Sequence, residues 1–185
     1  MKNWKKLSSE YVFRSRWMSL RKDAYKTPKK ETIPDFYIVE RPDFVVIVPQ
    51  TKKGKLILVQ QYRHGVEKLL LNFPMGYINP KEKPKNAALR ELSEETGLVV
   101  QDVRLLGSFF LSPPFMKTKG YIFSAVNISV PSENSKVSSM KFDKQEIKKV
   151  ISLSQPEIEK RIHSGEICDF TSVCSYLLFK KKPLM

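Results

Sequence analysis

The chain has 185 residues, 41% of them hydrophobic and 28% charged, enough apolar material for a full core and no low-complexity tract or internal repeat. Its two cysteines, Cys168 and Cys174, have neither metal-type nor disulfide-type spacing, which excludes a disulfide scaffold or zinc module and makes a reducing, cytoplasmic setting the expectation. A net charge of +14 favours anionic partners without assigning a reaction.

Residues 1–13 are positively charged but lack a continuous apolar stretch, so no secretory leader is expected. No segment approaches the roughly 20 apolar residues of a membrane span. Residues 17–23 and 36–40 read as a strand pair ahead of the main sheet, and by residue type alone Trp17 reads as a packed core indole. Residues 1–30 hold ten Lys or Arg against Glu10 and Asp23, a net charge of +8.

Residues 44–48, 55–61, 99–110 and 121–130 read as strands, with breaks at Gly54, Pro80, Gly107 and Pro131. Helices are expected over 84–96, 155–164 and 171–180. This interleaving describes an α/β (α+β) sandwich with a mixed β-sheet. Arg63, at the end of the second strand, reads either as a phosphate grip or as a strand-end arginine in solvent. Pro113 and Pro114 read as a loop stiffener. His64 and His163 are isolated and pair with no serine or cysteine nucleophile.

Residues 76–98, GYINPKEKPKNAALRELSEETGL, break a local rule of helix physics. At about 100° per residue, with Glu91 as reference, Glu94 lies at roughly 300° and Glu95 at roughly 40°, so three carboxylates share one sector. Ala88, Leu89, Leu92 and Thr96 fall in the neighbouring sector, which packs on a core and leaves the acids at a cleft. The like-charge pair Glu91 and Glu95 costs roughly a few tenths of a kcal/mol, and acids at the negative end of the helix dipole cost about 0.3 to 1 kcal/mol. Arg90, four residues before Glu94, can hold that carboxylate with its rigid fork. One arginine does not balance three glutamates, so a divalent cation is the expected remainder, the alternative being a solvated charged face. Oxygen ligands without His or Cys suit Mg²⁺ or Mn²⁺. Pro84 fits the first helical turn and Gly97 a left-handed stop.

Gly76, Glu82 and the run Arg90-Glu91-Leu92-Ser93-Glu94-Glu95-Thr96-Gly97-Leu98 resemble the Nudix box, G-x5-E-x7-R-E-U-x-E-E-x-G-U with U apolar, at every specified position. The resemblance implies a Nudix-type α/β/α sandwich and cleavage of a diphosphate joined to a nucleoside or another moiety. It implies Glu91 and Glu95 as principal metal ligands and Glu94 as a further ligand or water-orienting group. Arg90 and Glu82 would shape the helix and loop, and Gly76 would let the loop approach the metal, with the backbone carbonyl of Met75 as a ligand.

Further landmarks resemble the ADP-ribose pyrophosphatase subfamily. Gln61-Tyr62-Arg63 and Leu71-Asn72-Phe73-Pro74-Met75-Gly76 look like its QYR…E-x-P-A-G run, except that Asn72 stands for glutamate and Met75 for alanine. Residues 105–115 look like its LG…SPG segment, which makes Pro113 a substrate-binding position, but Thr118 stands where an acid often follows. Val150-Ile151-Ser152-Leu153 and Gly165-Glu166-Ile167-Cys168-Asp169 match later landmarks, and Glu146 then occupies the loop position of a general base or further metal ligand, with Asp143 as its substitute if the register slips. In that subfamily the N-terminal segment exchanges between subunits and its aromatics stack on the base, which implies a homodimer and makes Trp17 an adenine platform.

The expectation is therefore an N-terminal extension of strands serving as a dimerisation arm over residues 1–40, then a Nudix hydrolase domain over 41–185. Its reaction would be Mg²⁺-dependent hydrolysis of a nucleoside diphosphate linked to a sugar, most like ADP-ribose to AMP and ribose 5-phosphate. Arg63 would hold phosphate, and Glu146 or Glu94 would prepare the water. The basic N-terminus keeps two competitors open, an RNA 5′-end pyrophosphohydrolase and a non-enzymatic nucleic-acid module, though a dead module gains nothing from a destabilising acid cluster. A small-molecule partner is favoured over nucleic acid, and no membrane is involved.

Overall fold

The computed structural model describes residues 4–129 and 147–181. The chain forms two compact units, one of Met1–Asp43 with Phe109–Gly120 and one of Phe44–Ser108 with Tyr121–Met185.

The first unit is built on β1 (Lys5–Arg14), β2 (Ser19–Lys26) and β3 (Thr32–Glu40), antiparallel in the order β1-β2-β3. A strand pair was expected, and β1 is the addition. Every residue of β1 is exposed, so no apolar alternation marks it, and pairing with β2 makes it a strand. The interior of this sheet is polar. Asp23 is fully buried and accepts hydrogen bonds from Ser9 Oγ at 2.6 Å, Arg21 Nε at 2.9 Å and Tyr25 Oη at 2.9 Å, with Lys6 Nζ at 3.1 Å. Arg21 also pairs with Glu40, which accepts from Tyr11 Oη at 2.9 Å.

Trp17 is not a core indole. It lies in the β1–β2 turn, 60% exposed, with the Arg16 guanidinium 4.9 Å from its ring centre. Ser15 closes that turn by donating its N–H to the Met18 carbonyl, and the turn carries the indole outward. Segment Phe109–Gly120, expected within the 41–185 domain, joins this unit along the end of β3: Val39 N–H donates to the Phe115 carbonyl at 2.8 Å, and Lys119 N–H to Asp43 Oδ1 at 2.9 Å.

The second unit carries β4 (Phe44–Thr51), β5 (Leu56–Arg63), β6 (Lys68–Asn72), β7 (Met75–Tyr77), α1 (Pro84–Thr96), β10 (Ile147–Leu153), α2 (Gln155–His163) and α3 (Phe170–Lys181). With β8 (Arg104–Phe110) and β9 (Lys119–Ile128), the strands form one sheet in the order β10-β5-β4-β9-β8, β6 pairing with β5 and β7 with β4. Alternation along the strands splits the core. Val46, Val48, Leu56 and Leu58 face Ile158 of α2 and Tyr176 and Phe179 of α3, whereas Val45, Ile47 and Ile57 face Ala87, Ala88 and Leu92 of α1. Helices therefore cover both faces, the expected sandwich. Each fully buried Leu or Ile contributes about 1.5 to 3 kcal/mol, which fixes α1 to its sheet face.

Two expectations at the end of α1 need correction. Residues 99–103 are not strand, and Gly107 lies inside β8 rather than at a break. Gly97, at φ 70°, stops the helix and donates to the Ser93 carbonyl, after which Asp102 accepts from Val103 N–H at 2.8 Å and pairs with Lys85 at 2.5 Å. This anchored turn delays the strand to Arg104. Pro131, Asp143 and Glu146 lie outside the described residues.

Candidate active site

Helix α1 starts without a side-chain cap: Lys83 is extended and makes none, and Pro84 sets the first turn. Its apolar stripe seats on β4, and β7 runs beside β4 with Gly76 opposite Val45, on the face that α1 covers. This places the Glu91 carboxylate directly over Gly76. A Cβ at position 76 would overlap the Glu91 carboxyl carbon and both its oxygens. Glycine is required here by this close approach and by no unusual φ.

Glu91 is 3% exposed and Glu95 fully buried, so the acidic sector does not merely border buried structure; two of its members are inside it. Glu95 Oε2 accepts from Met75 N–H at 3.0 Å, tying the last turn of α1 to the start of β7. Glu94 is the half-buried member, with 30% of its side chain accessible.

Arg90 organises the group through all five of its N–H donors. Nε and Nη2 hold the two oxygens of Glu82, each at 2.9 Å; Nη1 reaches Glu91 at 2.8 Å and Glu94 at 3.2 Å; Nη2 also donates to the Tyr77 carbonyl at 3.0 Å. Arg90 holds Glu94 as the spacing predicts, while its bidentate grip falls on Glu82, whose Oε2 also accepts from Asn79 N–H at 2.9 Å. These bonds pull the Glu82 carboxyl below its usual range and raise Arg90 further above its own. The bracket joins loop, strand and helix into one frame.

Four carboxylates, those of Glu82, Glu91, Glu94 and Glu95, gather around this guanidinium and its helix, a set of oxygen donors of the kind a divalent cation takes. Among the described residues no three His, Cys, Asp or Glu side chains form a group able to hold a metal ion by themselves. The donor set still fits Mg²⁺: it is oxygen throughout, and Mg²⁺ is usually held by one or two carboxylates, waters and substrate phosphates rather than by a protein cage. The missing side chain at Gly76 lets the Glu91 carboxylate lie directly against the loop.

Arg63 stands at the end of β5, half-buried, and donates from Nε to Asn72 Oδ1 at 3.3 Å. Sequence reading singled out Asn72 only as a departure from the resembling subfamily and missed this contact. It also missed Ser172, which is fully buried at the start of α3 and accepts from Phe73 N–H at 3.1 Å, bracing the loop ahead of Gly76. Trp17 and Pro113 belong to the first unit, and the geometry around Glu91 carries no role for them. Thr118, at the position of the missing acid, is buried in that unit and donates to the Arg41 carbonyl at 3.3 Å.

Residues 39–167 match the family described as NUDIX domain, a span that contains the whole Gly76–Glu95 frame. The chain belongs to the Nudix family. It is a Nudix hydrolase, and its residues 4–43 match a second family, the nucleoside diphosphate sugar hydrolase N-terminal domain. An ADP-ribose pyrophosphatase of Bacillus subtilis (strain 168) is 28% identical over 89% of this chain and 86% of its own. A methanol dehydrogenase activator of Bacillus methanolicus is 30% identical over 91% and 88%. The crystal structure of an ADP compounds hydrolase superposes with a TM-score of 0.83 at 23% identity, covering 98% of this chain and 94% of that one, a likeness of fold.

Proposed function

We propose that this Nudix hydrolase cleaves the diphosphate bond of a nucleoside diphosphate linked to a sugar, with ADP-ribose giving AMP and ribose 5-phosphate as the reaction it suits best. The observation that carries the reading is the seating of Glu91 on Gly76 within the Arg90 bracket, which holds a cluster of buried carboxylates against the loop. The N-terminal match to nucleoside diphosphate sugar hydrolases and the similarity to an ADP-ribose pyrophosphatase favour the substrate class.

In this reading Glu91 and Glu95, with Glu94 and the Met75 carbonyl, hold Mg²⁺, Mn²⁺ being the alternative. Bound there, the ion neutralises charge on the diphosphate and lowers the pKa of a bound water. Arg90 and Glu82 keep the helix and loop in register. Arg63 grips a phosphate, and Glu94 or Glu146 takes the proton of the attacking water. Strand β1, an exposed sheet edge bearing Leu7, Tyr11, Val12 and Phe13, supports a homodimer through the N-terminal unit.

Incubation with Mg²⁺ and, separately, ADP-ribose, other nucleotide sugars, dinucleoside polyphosphates and 5′-triphosphorylated RNA tests the reading. ADP-ribose or a nucleotide sugar should turn over best, and Glu95→Gln should abolish it. Equal inactivity of wild type and Glu95→Gln on every substrate sinks the enzymatic assignment, and salt-sensitive preference for RNA sinks the substrate class.

A further inference from the structure

We propose that Asp169 and Ser172, at the head of α3, are positioning residues for the metal: through the loop Phe73-Pro74-Met75 they set where the Met75 carbonyl is held. The inference rests on the metal-dependent reading above and deepens it by assigning what stands behind that carbonyl.

Strand register turns Met75 two ways. Its side chain, opposite Val46, packs in the core that α2 and α3 cover, whereas Gly76, opposite Val45, lies on the face that α1 covers. Ile47 N–H donates to the Pro74 carbonyl at 2.9 Å, so residues 47 and 74 form a hydrogen-bonded pair of the ladder and 46 and 75 the alternate, non-bonded pair. The N–H and carbonyl of Met75 therefore both face away from β4. From α1, Glu95 Oε2 takes the Met75 N–H at 3.0 Å. From α3, the fully buried Ser172 Oγ takes the Phe73 N–H at 3.1 Å. The loop is thus tied to a helix on each face of the sheet.

Asp169 places Ser172. Its Oδ2 accepts the Ser172 N–H at 2.9 Å, which caps α3, and the Thr171 hydroxyl at 2.5 Å. Thr171 has one hydroxyl proton and Asp169 is the closer acceptor, so the Met75 sulfur, 3.8 Å from that hydroxyl, is a packing contact. One turn of α3 therefore holds the loop at both ends, by a hydrogen bond at Phe73 and by packing at Met75. Between them Pro74 has a fixed φ, so a shift at Phe73 is carried to Met75. Groups that hold a metal ligand from behind are worth about 10- to 100-fold in metal affinity.

Manganese uptake by the full chain, followed by electron paramagnetic resonance without substrate, reads the metal site apart from turnover. Ser172→Ala and Asp169→Ala should each weaken Mn²⁺ binding about tenfold. Asp169→Asn, which keeps an oxygen for the cap, should stay within about twofold of wild type. Tyr176→Phe is the control for α3: it removes the Tyr176 Oη bond to Glu159 at 2.7 Å, one turn further along the helix, and leaves the loop untouched. It should lower stability without changing Mn²⁺ affinity. A loss in Tyr176→Phe as large as in Ser172→Ala would mean that α3 acts only through overall stability, and overturns the proposal. Wild-type affinity in a folded Ser172→Ala also overturns it; if that variant does not fold, wild-type affinity in Asp169→Ala does so. Absence of Mn²⁺ uptake by wild type rejects the metal-dependent reading itself, and the proposal with it.

Discussion

Gly76 and Glu91 are matched so closely that the carboxylate lies where any side chain at position 76 would have to begin. The contact joins strand to helix with no space to spare, and it concerns the far end of a flexible side chain rather than backbone. Strain at this point therefore displaces the carboxylate before it disturbs the fold.

Gly76→Ala is expected to fold, with a melting temperature within a few degrees of wild type, and to lose about 100-fold or more in kcat because Glu91 is pushed off the site. Circular dichroism melts and turnover with Mg²⁺ check this together. Wild-type turnover in Gly76→Ala would show that the seating of Glu91 is incidental.

Arg90→Lys tests the bracket. Lysine keeps the charge but cannot fork onto Glu82 while reaching Glu91, Glu94 and the Tyr77 carbonyl. A loss of about 1 to 3 kcal/mol in urea unfolding is expected, with at least about a tenfold fall in kcat/KM. If stability falls while kcat/KM holds, Arg90 supports the fold without setting the site.

Glu95→Gln should retain the hydrogen bond from Met75 N–H, since the side-chain oxygen remains, while one buried charge is removed. Metal-free Glu95→Gln should stay within about 1 kcal/mol of wild type. Addition of Mg²⁺ should raise the melting temperature of wild type, and removal with a chelator should reverse it. The same Mg²⁺ shift in Glu95→Gln as in wild type would remove Glu95 from the proposed ligand set.

Acid sensitivity should centre on Asp23 and Glu82. Burial opposes ionisation of Asp23, but hydrogen bonds from Arg21, Ser9, Lys6 and Tyr25 outweigh it and hold the carboxyl well below its ordinary 3.8. The Arg90 bonds likewise hold Glu82 below 4.5. A folded-state value below the unfolded one means the unfolded chain binds more protons, so this stability is complete above the ordinary values and is lost as pH falls through the lowered ones. Urea midpoints measured from pH 7 downward should fall below about pH 4.5. Asp23→Asn should lose about 2 to 4 kcal/mol at neutral pH and show a shallower acid limb; an unchanged limb would mean that Asp23 is not the group titrating.

Ser172→Ala leaves the Phe73 N–H buried without its acceptor. A cost of about 1 to 3 kcal/mol is expected. Hydrogen exchange at Phe73 should speed up selectively, and unchanged protection there would exclude the brace.

Much of this molecule was legible before any coordinates. Pro84 and Gly97 bounded α1, because a missing N–H and a left-handed stop are local chemistry. The spacing of Gly76, Glu82, Arg90, Glu91, Glu94 and Glu95 gave the family, because those residues act through one loop and one helix. Strand β1 was not legible: an edge exposed on both faces needs no period of two, and only its pairing with β2 makes it a strand. Trp17 was misread for a related reason, since an indole announces apolar surface but not whether a turn carries it outward.

Sequence alone, then, determined the reaction family and the acidic sector of α1, both set by spacing within a single element. Tertiary structure decided which acids are buried, which carboxylate Arg90 grips in bidentate fashion, and that Arg63 is held by a neutral amide nine residues away. These are contacts between elements, and their partners are chosen by packing and strand register, which no local periodicity encodes.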